Sequence, residues 1–463
     1  EPGLITAERP RYRRGVIPEV VARDRGSNQV MRRRLKALVL AACLASFLSL
    51  PAAAQAETFC VRKPKCVQAG GTPHMTIGGA MAAAGANGNG VDRIEVGPGV
   101  HEEWPSTAGH GNPVVIVGAG MKRTTLKLAS DADHLTVLTL LDPSSRVQGL
   151  SVRLGGGAHQ SGITSSGVVK SVRAIGNADV RQAGVTLLVG GRIERSEIII
   201  RGSHPDSLGL DISSEGTIAR EVKVRAPIGV LGGLGSRLVR STVSATTVGV
   251  RVSSGSFAVD NALVRALGGA HGAQALAESP GAAAQLTVVS STIVAQKRAG
   301  TGVEARAFAV ADMGCPRADV VLRNSIVHGF ATTLFSNAPN GFCTGGSGEP
   351  EGNITVSWSA LKAKGKKEIG GGGIRIGRGV TGTNPRFVAP KKGNYRLRRS
   401  SRLIDRGQPG KPKPGESKRD LDGRKRVIDG DGKGGPRRDI GAYEFKSKKK
   451  GKKRKGGKRK RGR

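Results

Sequence analysis

The chain has 463 residues, of which 70 are Gly and only 3% are aromatic, and its formal net charge at pH 7 is +39. So few rings exclude a core built on Phe, Tyr and Trp, and they remove the stacking platforms on which single-stranded nucleic acid is read. The excess of cations favours anionic partners, and a solenoid fits the length because it grows coil by coil without enlarging one core.

Residues 1–30 are rich in Arg and lack an apolar period, and we read them as an upstream extension outside the native fold. Met31 opens a basic stretch to Lys36, followed by an apolar run from Ala37 to Leu50 and then Ala54-Gln55-Ala56. This is the layout of a secretory signal peptide over residues 31–56, cleaved between Ala56 and Glu57. The apolar run is short for a membrane span, and no second one follows. The chain is therefore expected outside the cytoplasm, secreted or at the cell surface, with no transmembrane span after processing.

Export changes how the cysteines read. Cys60, Cys66, Cys315 and Cys343 remain, an even number that points to disulfides outside the cytosol. Three pairings are open, and proximity in sequence favours Cys60–Cys66 with Cys315–Cys343. A metal site is the rival reading, but no C-x-x-C is present.

From Thr76 to Gly85 the text reads as a short amphipathic helix, and from Asp92 to Glu103 as strand, Gly-Pro-Gly turn and strand. This helix, turn and early strand resemble the start of parallel β-helix proteins of the pectin-lyase-like group, over residues 76–130. Val114 to Gly120 has the look of a dinucleotide-binding strand and turn. The third Gly of that fingerprint would be position 123, which is Arg, and β-formers follow, so we read a turn between strands.

One motif then recurs: an apolar residue, small or polar residues often including Ser or Asn, and a second apolar residue five positions on. It starts at Val147, Val169, Ile193, Ile218, Leu238, Ala258, Val288, Val321 and Val356. Alternating apolar and polar residues cut by Gly, Ser and Asn mean short half-buried strands and turns. With no helical text between them, the fold class expected over residues 57–380 is all-β, a right-handed parallel β-helix with a short N-terminal capping helix. A β-sandwich or propeller would need hairpin turns, which are scarce here.

The text changes near Thr383. Asn384 to Val388, Gly393 to Leu397, Ser401 to Gly407, Asp420 to Gly423 and Asp439 to Phe445 follow in succession. These blocks resemble the C-terminal segment of exported β-helix proteins called choice-of-anchor proteins. The resemblance implies a closing module over 381–445, after which a sorting signal would come. In its place stands a basic tail, Lys446–Arg463, with thirteen Lys or Arg and no acid. Such a tail reads either as electrostatic attachment to wall polyanions or as a solvated, disordered segment. Asp420, Asp422, Asp429, Asp431 and Asp439 are dense enough to suggest a structural calcium ion, with ordinary Asp-Gly turns as the alternative.

No catalytic cluster is legible. Asp206, Asp211, Glu215, Asp260 and Asp319 look scattered, and His159, His204, His271 and His328 each stand beside Gly or Ser as turn residues would. His110, in a Gly-His-Gly pattern also found in polygalacturonases, lacks companion paired aspartates. The expectation is a monomeric surface protein that binds acidic polysaccharide or envelope polyanions, without a cofactor or specific nucleic acid. The alternative is a polysaccharide lyase or glycosidase working along the β-helix groove.

Overall fold

The computed structural model describes residues 56–447 apart from 89, 110–111, 129–130, 132, 178, 280, 309–313, 340–348 and 363–364. The expected signal peptide before Ala56, the basic tail beyond 447, His110 and Cys343 lie outside the described residues. None of the described helices is long and apolar enough to cross a membrane.

The motif becomes a coil of short strands. In one coil, Gly255–Asp260 is followed by Leu263–Ala266 and His271–Ala277. Each strand pairs in parallel with its counterpart in the next coil, so the backbone edges of one coil are satisfied by its neighbours. The first strands of the coils stack into a sheet of 14 strands, and the others into a sheet of 18, among the described residues. The chain is a right-handed parallel β-helix.

Register makes the interior. One inward stack runs Ile94, Ile116, Val147, Val169, Ile193, Ala219, Leu238, Val259, Val288, Leu322 and Val356. A second runs Leu126, Val152, Ala174, Ile198, Val224, Val243, Val264, Ile293 and Val327. All of these side chains are buried. Three copies of the sequence motif shift by one residue. Ala219, Val259 and Leu322 point inward, where the sequence suggested Ile218, Ala258 and Val321. At each place two apolar residues adjoin, so the alternation does not fix the face, and Val321 is in fact 37% exposed.

Corrected for that slip, each motif places a left-handed residue two positions after its first core residue. Gly149, Ser171, Arg195, Glu221, Arg240, Asn261, Ser290, Asn324 and Trp358 have φ between 47° and 70°. Eight of these nine are not Gly, and each turn tolerates the cost because the strands on both sides are held by neighbouring coils. The next position carries a serine ladder. The hydroxyls of Ser291, Ser325 and Ser359 accept the backbone N–H of Ala262, Ser291 and Ser325 at 3.0–3.1 Å. Each also donates to the carbonyl two residues earlier, at 2.8–2.9 Å.

Glycine has a steric role at the bend between the second and third strands. Gly184, Gly209, Gly229, Gly249, Gly272 and Gly302 stack there, coil on coil. A Cβ on Gly249 would lie 2.3 Å from a Val264 methyl and 2.4 Å from the Gly272 carbonyl oxygen. The missing side chain lets the inward Val or Ile of the next coil's second strand fill the corner.

At the N-terminal end, the helix Ile77–Ala86 lays Ile77, Ala80, Met81 and Ala84 over the first coil. Thr76 Oγ1 accepts Gly79 N–H at 3.0 Å, and Glu103 accepts Ile77 and Gly78 N–H at 2.9 and 2.8 Å. A carboxylate at that end suits the helix dipole. The Cys60–Cys66 disulfide is formed beside it, and Cys315 is also disulfide-bonded.

From Thr381 onward the chain folds back along the flank of the second sheet. Phe387, Tyr395, Leu397, Leu403, Ile440 and Tyr443 pack against outward-facing Leu263, Val294, Ile326 and Ala360 of four coils.

The Gly249→Ala variant is expected to lose about 1–3 kcal/mol of stability through overpacking, read as a lower midpoint in thermal unfolding followed by circular dichroism. An unchanged midpoint would mean that the corner has room for a methyl group.

Candidate functional site

Four arrangements of polar side chains stand out. The first fastens the C-terminal segment. Buried Arg426 donates to Glu444 at 2.6 Å, to Ser290 O at 2.7 Å and to Gly441 O at 2.6 Å. Arg438 donates to Glu416 at 2.9 Å, and Arg323 of the coil pairs with the same carboxylate. Buried Asn324, a turn residue of the repeat, donates to Asp439 O at 3.0 Å and accepts Gln408 N–H at 2.9 Å. Asp260 accepts Ser417 N–H. Burial raises its pKa and that bond opposes the rise.

The five aspartates considered for calcium separate here. Asp420 accepts the N–H of Arg424 and of Glu444 at 2.6 and 2.8 Å. Asp422 holds Arg396 and Arg424. Asp439 accepts Asp405 N–H at 2.8 Å and Phe445 N–H at 2.6 Å. Asp429 and Asp431 meet Asp405 instead, their carboxylate oxygens within 4.8 Å of one another. Asp405 already accepts the N–H of Gly430 and Asp431. These bonds are those of turns, and a cation would be held by Asp405, Asp429 and Asp431.

The second arrangement is a cationic ladder on the outer face of the first sheet. In register, one lane runs Arg146, Val168, Arg192, Ile218, Arg237, and the other Gln148, Lys170, Glu194, Arg220, Val239. Five successive coils therefore present one cation each, alternating between lanes, and the single acid is Glu194. One coil corresponds to a rise of roughly 4.8 Å. The ladder ends at a pocket lined by Arg220, Arg237, Arg240, Lys418 and Arg419 around Asp260 and Glu416. Burial holds the Arg240 guanidinium below the usual range for Arg, and the like charges of Arg220 and Arg419 add to this.

The third is a cleft of about 1010 Å³ between the coils and the C-terminal segment. Lys297, Arg298, Arg386, Lys391 and Arg398 line it, with Phe387 and Tyr395 in its wall and no acidic side chain among the described residues. His328 lies there too. Its pKa is lowered by burial and then by Lys362.

The fourth lies on the outer face of the second sheet. Arg251, Gln274 and Glu304 occupy the same lane in three consecutive coils. Arg251 Nε donates to Gln274 at 2.8 Å, and Gln274 Nε2 donates to Glu304 at 2.9 Å. His271 Nδ1 lies 3.0 Å from Glu304, whose side chain is 2% exposed against 36% for the imidazole. Beside them is a cavity of about 470 Å³ lined by His159, Arg181, Asp206, Asp211 and Arg251. The sequence showed Asp206 and Asp211 as scattered and His271 as a lone turn residue, whereas Asp211 lies in the strand Leu208–Ile212 and His271 opens the strand His271–Ala277. It did not single out Gln274 or Glu304, which lie 23 and 53 residues beyond Arg251 and become neighbours only through the coil register. Glu215 is exposed at a turn, and Asp319 pairs with Arg317 at 2.8 Å in a separate groove.

No protein-family model and no curated protein matches this chain. Among solved structures it is similar to the pectate lyase Pel9A, at 12% identity and a TM-score of 0.46, covering 85% of this chain and 98% of that one. It is also similar to the A-module of the Azotobacter vinelandii mannuronan C-5 epimerase AlgE4, at 15% identity and 0.38, covering 65% and 92%. A PL6 family polysaccharide lyase from Pseudopedobacter saltans follows, at 11% and 0.37, covering 69% and 95%. These are remote likenesses and carry nothing about activity.

The C-terminal fastening should be pH-dependent. Burial pushes Asp439 from 3.8 up to about 7, so between those values the folded form binds a proton that the unfolded form has lost. Burial likewise raises Glu444 of the same network from 4.5 to about 9, so stability falls as pH rises from about 4 through 7 and levels only above about 9. Amide hydrogen exchange over residues 403–445 is expected to be slower at pH 5 than at pH 8 after correction for intrinsic rates. The reverse order would remove the buried proton from the account.

Proposed function

We propose that the protein is an exported, non-catalytic β-helix that binds linear acidic polysaccharide or a comparable envelope polyanion. The observation that carries this reading is the ladder of Arg146, Lys170, Arg192, Arg220 and Arg237, one cation per coil. A linear polymer with one carboxylate per sugar ring presents charges at comparable intervals along its axis, so several contacts form in one register. The acid-free cleft continues the same preference, and aromatic walls there suit the apolar face of a sugar ring. We infer that the Lys446–Arg463 tail adds electrostatic attachment to wall polyanions, and that the segment from 381 corresponds to a choice-of-anchor module.

Replacing Arg146, Arg192 and Arg237 by Gln is expected to weaken binding to pectate or alginate by roughly two- to fivefold per residue. The salt dependence of binding should flatten in step. Isothermal titration with uronate oligomers of increasing length checks this. Affinity should rise with length in the wild type and lose that rise in the triple variant. Equal binding by both proteins would sink the ladder, and tighter binding of duplex DNA through the same residues would replace the occupant.

A second reading is a lyase or glycosidase acting along the groove, favoured by His271 against the buried Glu304 beside a cavity that Asp206 and Asp211 line. Incubation with pectate, alginate and hyaluronan, with and without calcium, distinguishes the two. Unsaturated products or new reducing ends, lost in Glu304→Gln, would establish catalysis.

A further inference from the structure

Asp92 is an anomaly of the first coil. It occupies an inward position of the strand Asp92–Val96, in line with buried Ile94 and Val96, and is 0% exposed. In register with it the next coil places Val114, and later coils place Ser236, Phe257, Leu286, Val320 and Ile354 at this position, none of them charged. One carboxylate oxygen, Oδ1, accepts the backbone N–H of Glu57 at 2.7 Å. The other, Oδ2, is buried with no hydrogen-bond partner among the described residues. No described cation pairs with Asp92. Its charged neighbours Lys63, Arg93 and Glu95 satisfy one another at 2.5 and 2.8 Å on the outward side. A buried carboxylate with a bare oxygen and no countercharge is among the costliest groups a fold can hold.

The atom that Asp92 does touch is the nitrogen of Glu57, the residue that follows Ala54-Gln55-Ala56. We propose that the chain is cut between Ala56 and Glu57, and that the α-ammonium so created is the missing partner of Asp92, locking the mature N-terminus into the first coil. The cut is hydrolysis by an endopeptidase of the export route. The amide C–N bond breaks, water supplies the oxygen of the new Ala56 carboxylate, and the amine takes up the protons. One amide donor becomes three ammonium donors with a full positive charge, beside Oδ1 and within reach of Oδ2. The strand beginning at Thr58 is already fixed against Arg93, Ile94 and Glu95 in register, so the terminus arrives ordered. The small residues at 54 and 56 and the orphaned carboxylate are independent observations that indicate the same peptide bond.

This lock is separate from glycan binding and stands or falls without it. The test is export of the leader-bearing chain, followed by sequencing of the mature terminus and mild acylation of its amines. The expected product begins at Glu57, and its α-amine reacts at least tenfold more slowly than in Asp92→Asn. If Asp92→Asn does not fold, a chain with one Ser inserted between Ala56 and Glu57 serves instead. It is cut after the same Ala56, displaces the ammonium from Asp92, and should melt several degrees lower. A mature chain beginning elsewhere, an α-amine as reactive as in the Asn variant, or an unchanged melting temperature on Ser insertion would each overturn the proposal.

Discussion

Backbone pairing between coils at a fixed register is the constraint on which the rest of this structure depends. Every coil must return its chain to the same inward stacks, because a slip of one residue would turn a core side chain outward. The turns absorb what the strands cannot change. A non-glycine residue in the left-handed region at Ser171, Arg195, Glu221 or Arg240 is unfavourable alone. It persists because the hydrogen bonds of two neighbouring coils determine the path on both sides. The serine ladder and the stacked corner glycines follow from the same requirement.

Most inward positions along the coils are apolar or uncharged, and so buried charged groups carry information. Arg426, Glu444, Arg438, Asp439 and Asn324 are buried where the C-terminal segment meets the coils, and apart from Arg426 Nε their polar atoms are satisfied by one another and by backbone groups. Removing one partner would leave the other charge buried without compensation, which is why such networks fix one docking geometry more than they add net stability. Asp92 differs from Asp439, whose two carboxylate oxygens both accept backbone N–H groups, in leaving one oxygen without a partner. That difference separates a structural ion network from a group awaiting a partner.

The architecture was legible in the sequence to a considerable extent. The motif beginning at Val147 and the cap from Thr76 to Glu103 led to the coils and the helix, since each depends on local alternation and on turn residues. The one-residue slips at Ile218, Ala258 and Val321 arise where two apolar residues adjoin and alternation gives no decision. The polar arrangements were mostly illegible. Asp211 lies forty positions before Arg251, and Glu304 fifty-three after it. Successive coils differ in length, so no fixed period relates these residues. The fastening role of Asn324 was likewise hidden, because its partners Gln408 and Asp439 follow more than eighty residues later.

The cationic ladder combines both kinds of information. Its members sit immediately beside inward positions that the motif defines, at Val147, Val169, Ile193, Ala219 and Leu238. Repetition that exists to satisfy backbone amides thereby sets the interval between outward charges. A compact domain gathers its cations into one patch and is suited to one compact anion. A solenoid distributes them along an axis with a constant step, and the four steps between these five cations would favour a ligand of matching length and charge period. Selection for a repeating polymer then requires no pocket, only side chains of one sign on lanes that the fold already holds in register.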